Sequence, residues 1–572
     1  MHPALGLSEV LERIFSRIGD ELDDDYSPSP SSRPLPIRNS TLARLARTCK
    51  TFKKPAIDGL WSEIPATRIY ESLIPHLVVM WKEGDPDPYD WREITVKGTW
   101  IADVRPMSTA DQLNLMEYTT SIRRFTLGSP DIAETAIAAP AILALLSLPG
   151  GLDVVFPRLS RVHIYHQLPG LLQEYLPLIF SVECIRLVAI SRIDDLFMAL
   201  VDAFTTRKGP HVQEIDLQFK SSDWHSDQAN RGSFPTMLSQ AVMRCENLRT
   251  FACTVLDQAT LLRLSGLSSL TFLELHGLDD IDTTPTLQFL SLGSLKLTFN
   301  VFSDAVYFIL RLVRIPPSIH IRIADEPSAP LSAQLFDEIS RVPEANVHAL
   351  TLERFVPPIH PEHTHDPPIS IETIEPLLKF AGMRVFRWIF LGRVHLTDAN
   401  VGLVTQSWPL LEQLWINSES YDHVPFATLS SIFIAAQHCP HLEYLSLPVD
   451  ASRITDDGSL AAEIRHESLR VIELGTSFVD AMGLATIVHT FARAFPRLKW
   501  VRLNLPVGGE DTDSQTSNGQ RAFGWRICEA IKMLRQAKEN GRIASWTDED
   551  ALKILIRYFE VAWDTDKSHG FE

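Results

Sequence analysis

Positive charge is scarce in this chain. Against 71 acidic residues stand 53 lysines and arginines, a formal net charge of -18 at pH 7. A nucleic-acid backbone or an anionic membrane calls for a basic face, and here Lys and Arg are scattered, so neither is expected as a partner. Cysteine is as sparse, with six residues at positions 49, 184, 245, 253, 439 and 528 of 572. Their spacing offers neither paired metal ligands nor a dense disulfide framework, and they read as buried small hydrophobes in a reducing compartment. Long apolar runs are missing too: the most apolar window, residues 132–150, is broken by Pro140 and Pro149 and is too short to cross a bilayer. The opening MHPALGLSEVLERIF carries Glu9 and Glu12 with no basic segment before its apolar stretch, so no secretory signal is expected and the chain is placed inside the cell, in cytoplasm or nucleus.

The common catalytic signatures are absent as well. There is no glycine-rich phosphate loop, no G-x-S-x-G elbow and no H-E-x-x-H helix, which sets aside the usual nucleotide, nucleophile and metalloprotease classes. His360, His363 and His365, with Asp366 beside them, have no cysteine nearby to complete a tetrahedral zinc set and read as a proline-rich surface loop. The acidic runs DDD and GEDTD lack the glycine and terminal glutamate of a calcium loop. The expectation is a binding protein without catalytic residues, metal or cofactor; an enzyme whose site is assembled from dispersed positions is the weaker alternative.

What the chain has is repetition. One pattern returns: apolar, two positions, apolar, one position, apolar. It reads IRRFTL, LSRVHI, VECIRL, VQEIDL, LRTFAC, LTFLEL, LGSLKL, VHALTL, MRVFRW, LEQLWI, LEYLSL, LRVIEL and LKWVRL, with starts 22 to 37 residues apart over most of the array. A copy between LGSLKL and VHALTL is irregular, only IHIRIAD resembling a strand. The intervals have room for helices: VPFATLSSIFIAAQHCP places Phe426, Leu429, Ile432, Phe433 and Ala436 at helical spacing before Pro440, and LATIVHTFARAFP and FPTMLSQAVMRCEN read likewise. In each copy the last residues should form a short strand whose alternate side chains point inward, as Leu445 and Leu447 would.

This L-x-x-L-x-L core resembles a leucine-rich repeat. The resemblance implies an α/β solenoid of irregular repeats, concave parallel strands backed by convex helices, over residues 119–506, with residues 66–118 as linker and irregular first repeat. A polar linker (507–520) and a helical cap (521–572) would follow.

The first 65 residues hold LGLSEVLERIF, then LARLARTCKTF, then LW, with an acidic, Ser/Pro-rich insert (22–38) between the first two. In that order the three pieces resemble an F-box, and the coupling to a leucine-rich tail resembles the F-box/leucine-rich-repeat proteins, especially divergent fungal members. The resemblance implies a helical module docking onto a Skp-type adaptor, and through it a cullin-RING ubiquitin ligase, while the tail holds a protein substrate. Docking residues would be Leu7, Val10, Leu11, Ile14, Phe15, Leu42, Leu45, Cys49 and Phe52, with Trp61 packing the module. Ser8 stands where the family usually has proline. A scaffold that has lost adaptor binding is the alternative reading.

The outward strand positions are the candidate partner surface: Arg387, Gln413, Trp415, Tyr444, Glu473, Trp500 and Arg502, since Trp, Tyr and Arg concentrate at the energetic centres of interfaces.

Overall fold

A computed structural model describes, with small internal gaps, residues 35–65, 77–83, 98–104, 113–127, 156–165, 186–190, 202–218, 234–277, 286–355, 368–418, 425–451, 464–476, 481–504 and 527–540, and residue 555. The fold is α/β with extensive parallel sheet, and the chain divides into two compact units, Met1–Leu270 and Thr271–Glu572.

Helices α1 (Leu35–Thr48) and α2 (Lys50–Trp61) open the first unit. Helix α1 begins inside the range expected for the insert, because Pro36 sits in its first turn, where a missing N–H costs nothing. Pro55 lies within α2, and the break between the two helices falls at Cys49, whose carbonyl accepts from Phe52 N and Lys53 N at 3.2 and 3.1 Å.

Strands β1 (Glu63–Pro65), β4 (Arg124–Leu127), β5 (Arg161–Tyr165), β6 (Arg186–Ile190), β7 (Glu214–Gln218) and β8 (Thr250–Cys253) then pair in that order, all parallel. An antiparallel pair, β2 (Leu77–Glu83) with β3 (Gly98–Val104), occupies part of the segment read as linker. Its LVVMW and TWI stretches have the β-branched and aromatic content that favours strands. Helices α3 (Phe234–Met243) and α4 (Gln258–Ser265) are the regular helices described later in this unit.

In the second unit, β9 (Phe272–His276), β10 (Ser294–Phe299), β11 (Ser318–Ile323), β12 (Ala349–Arg354), β14 (Val385–Phe390), β16 (Gln413–Ser418), β17 (Tyr444–Ser446), β18 (Val471–Thr476) and β19 (Trp500–Asn504) form one parallel sheet. The two-residue strands β13 (Ile369–Ser370) and β15 (Val394–His395) pair apart from it. The connections carry α5 (Phe302–Leu310), α6 (Ala329–Arg341), the single turn α7 (Ile371–Ile374), α8 (Asp398–Ser407), α9 (Ser430–His438) and α10 (Ala481–Ala494).

The motif explains this architecture residue by residue. Its first apolar position is buried in copy after copy (Ile122, Leu159, Val212, Leu248, Leu270, Leu292, Val347, Met383, Leu411, Leu442, Leu469 and Leu498), and so are the strand residues that follow, such as Leu295 and Leu297 or Leu414 and Ile416. One hydrogen-bond device recurs with it. The carbonyl one residue after that first position accepts two successive N–H groups from the next strand's start. Thr271 O takes Gly293 N and Ser294 N, Arg384 O takes Glu412 N and Gln413 N, and Arg470 O takes Lys499 N and Trp500 N. Within each compact unit the parallel strands bury their apolar residues against the neighbouring strands and satisfy their entries the same way, which holds the same face inward; β18 and β19 shift register after Glu473, where Thr476 pairs with Asn504.

Three local expectations need correction. The copy read as VECIRL is shifted by two residues, since Leu187, not Ile185, lies in register with Val162 and Ile215; a shift of two keeps the same face inward. The irregular copy at IHIRIAD is a full strand, β11, paired along its whole length on both sides. Its departure is confined to Pro316, beside the buried Ile315. Phe426, expected on the α9 face, precedes the helix, is 55% exposed and packs edge-on against His395 at 4.5 Å.

Beyond β19, the described residues between 527 and 539 are helical and bury Ile527, Ala530, Ile531 and Leu534. Arg535 ties this helix to the preceding turn by donating to Leu498 O at 3.1 Å and Phe495 O at 2.5 Å.

Candidate partner-binding surface

The outward face of the second unit's sheet is built from the residue between the last two apolar positions of each motif and the residue two before it. Strand alternation fixes that choice. Register then aligns these residues into two rows. One runs Glu274, Lys296, His320, Thr351, Arg387, Trp415, Ser446, Glu473, Arg502. The other ends Val385, Gln413, Tyr444, Val471, Trp500. All seven residues singled out from the sequence lie on these two rows, across five neighbouring strands.

Six of the seven form a continuous chain of contacts. Arg387 Nε donates to Gln413 Oε1 at 3.0 Å, and its guanidinium carbon sits 5.6 Å from the Trp415 ring centroid. Trp415 stacks on Tyr444 with centroids 4.9 Å apart and planes 22° from parallel. The Tyr444 hydroxyl donates to Glu473, and burial, reinforced by that carboxylate, pushes the phenol far above its ordinary range. Tyr444 is therefore a neutral donor. Glu473, only 6% exposed, also accepts from Ser446 Oγ at 3.4 Å and lies 4.0 Å from Arg502 Nη1. Trp415 is half-buried and its Nε1 is covered without a hydrogen-bond partner among the described residues. Trp500 is 41% exposed and stands across Val471 from Tyr444.

The first half of the same face is ionic, and sequence reading passed over it. Glu274 meets His276 Nε2 at 2.9 Å and Lys296 Nζ at 2.7 Å. Burial alone would raise its pKa; the bond to His276 and the Lys296 charge outweigh that and bring it down to about 2. Glu353 repeats the arrangement with His320 Nε2 at 3.0 Å and Arg322 Nε at 2.9 Å. Burial opposes its ionisation as well, but His320 and Arg322 hold its pKa below the ordinary value. The signal for Glu274, Lys296 and His320 was in the motif, where they fill the same slot as Arg387 and Trp415 in LEL, LKL and IHI.

Leu7, Val10, Leu11, Ile14 and Phe15 lie outside the described residues, as do His360, His363, His365 and Asp366. Of the second docking group, Leu42 is fully buried between α1 and α2 with Ala56, and Leu45 and Phe52 pack partly against that pair. Leu42 thus serves the interior of the helix pair, and Leu45, Cys49 and Phe52 keep partial exposure. Trp61 packs on Tyr118 at 4.9 Å, and Ser121 Oγ donates to Asp58 Oδ1, tying α2 to the residues that lead into β4. Cys245, Cys253 and Cys439 are buried. Burial pushes the thiols of Cys245 and Cys439 up to about 12, which makes them inert.

Among the described residues no group of His, Cys, Asp and Glu is placed to hold a metal ion, and no helix is long and apolar enough to cross a membrane. Comparison with protein-family models and with curated proteins gave no match to this chain.

Proposed function

We propose that the chain is the substrate-recognition subunit of a Skp-cullin-F-box type ubiquitin ligase, a leucine-rich-repeat solenoid carrying an F-box-like module at its N-terminus. The observation that carries the repeat reading is the coincidence of motif, register and strand-entry hydrogen bond, which is what stacked repeats require. The F-box reading rests on the order of the three sequence pieces and on α1 and α2, which run directly into the first parallel strand. Such a chain performs no chemistry itself. It orders a bound target near the transfer enzyme, and the rate gain is one of proximity. The target's place is the outward face from Arg387 to Arg502, where aromatic and arginine side chains are gathered.

A second reading, a recognition scaffold without adaptor binding, is favoured by Leu42. Its burial, together with the Asp58 and Trp61 contacts, is also what a cap on a repeat array needs.

The variant Ile14→Asp/Phe15→Asp separates the two. On the ligase reading the full chain is retained by a purified Skp-type adaptor and the double variant is not, while both melt at the same temperature. Equal retention of both would place docking elsewhere. Retention of neither would favour the scaffold.

A further inference from the structure

The helix pair at the start of the first unit carries a concentration of charge that the proposed function does not use. From it we infer a second interaction surface: the exposed side of α1 and α2 around Cys49 binds a short segment, rich in Asp and Glu, of a partner protein. The inference does not rest on the ligase reading.

Residues 35–57 hold six basic residues and no acidic one, in a chain of net charge -18. Five of the six, Arg44, Arg47, Lys50, Lys53 and Lys54, are exposed. Each lies within five residues of the break at Cys49, about 7.5 Å of helix rise or less. Packing leaves them there. Leu42 and Ala56 join the helices, with Leu45, Ala46, Phe52 and Leu60 packed around them, so the positions between face solvent. Among the described residues none of the five makes an ion pair. Other exposed arginines of the chain do, Arg244 with Asp202, Arg384 with Glu412 and Arg465 with Glu467. The one carboxylate of α2, Asp58, accepts from Ser121 instead.

The start of α2 adds to this charge. A helix N-terminus is a positive pole, ordinarily offset by a Ser, Thr, Asp or Asn cap and by acidic residues in the first turn. Here Cys49 stands at the cap position, the first turn has no acidic residue, and Lys50, Lys53 and Lys54 follow. Lys50 repels the other two across i, i+3 and i+4 spacings. Local stability is given up to hold positive charge in one place, and an anionic ligand relieves both the repulsion and the uncompensated pole. The patch follows at most about 15 Å of helix, the length of about five extended peptide residues. A long nucleic acid or an anionic membrane would reach past it to the rest of an acidic chain and be repelled. A short acidic segment stays within the patch.

The test is fluorescence anisotropy of the full chain at about 0.15 M salt, where long-range charge is largely screened, with labelled octa-glutamate, octa-lysine and an eight-nucleotide oligothymidylate in turn. Octa-glutamate should bind, and Lys50→Ala/Lys53→Ala/Lys54→Ala should weaken it by about tenfold, the combined effect of a few exposed ion pairs. Adding Arg44→Ala/Arg47→Ala should remove it. The melting temperature of the triple variant should hold or rise, because alanine relieves the repulsion and favours helix, so a loss of binding is not a loss of fold. Octa-glutamate binding that is absent, or equal in wild type and triple variant, overturns the surface. Tighter binding of octa-lysine or of the oligonucleotide does so too. The assay holds no ligase component, so adaptor binding without octa-glutamate binding removes this inference alone.

Discussion

Trp415 and Tyr444 stack at 4.9 Å with their planes 22° apart, on strands whose register sets them one row apart. Arg387 covers the far side of the indole, so the tryptophan is held between a cation and a phenol. The stack is a rigid anchor at the middle of the proposed partner surface. An aromatic pair of this kind contributes about 1 kcal/mol beyond the area it buries. A double-mutant cycle of Trp415→Ala and Tyr444→Ala, followed by urea unfolding, should show a coupling of that size. Zero coupling would mean the two rings merely adjoin.

Acid should unfasten the second unit at Glu274. Its pKa is about 2 in the folded chain against an ordinary 4.5, so the folded state binds fewer protons than the unfolded one between those values. Its contribution, about 3 kcal/mol at most, is complete above pH 4.5 and is lost as pH falls toward 2. Glu274→Gln should be less stable at pH 6 and should lose less further stability between pH 4.5 and 2.5. Parallel curves for the two proteins would contradict the assignment.

His466 titrates in a milder window. It is buried, its Nε2 meets Cys439 O at 2.9 Å, and its Nδ1 accepts from Leu469 N at 3.1 Å. That pattern needs the neutral ring protonated at Nε2, and burial holds its pKa below the ordinary 6.5 despite the Cys439 bond. A depressed histidine gives its full stability above about pH 6.5 and loses it as pH falls toward the folded value. Urea midpoints measured from pH 7.5 to 5.5 should fall more steeply for the wild type than for His466→Gln. Equal slopes would show that this ring does not titrate against folding.

Inner motif positions should be costly to truncate and an exposed turn leucine outside the motif cheap. Leu350 is fully buried on β12, paired in register between Ile319 and Phe386, whereas Leu290 is 59% exposed. Leu350→Ala should cost about 2–5 kcal/mol, and Leu290→Ala less than about 0.5 kcal/mol, in chemical denaturation. Similar costs at both sites would contradict the inward assignment.

Much of this arrangement was legible because the motif has period two where it is a strand and helical spacing where it is not. Leu445, Leu447, Ile432 and Phe433 each fell where that periodicity put them. The outward row was legible for the same reason, since naming the inner leucines names the residues between them. What escaped had physical causes. The true register of the copy around Leu187 was hidden because VECIRLVA satisfies the pattern both from Val182 and from Cys184. The pairing of β2 with β3 came from β-branched and aromatic residues outside the recurring motif. In the ionic half of the face, the motif slot marks Glu274, Lys296 and His320 as outward, but the ion pairs they make are not written in any one strand. Only register shows that Glu274 faces Lys296.

The most direct measurement is the mass of the complex formed when the full chain is mixed with a purified Skp-type adaptor and the cullin segment that binds it, by size-exclusion chromatography with light scattering. The account requires one species holding one copy of each. A chain that elutes alone beside an adaptor–cullin pair would contradict it.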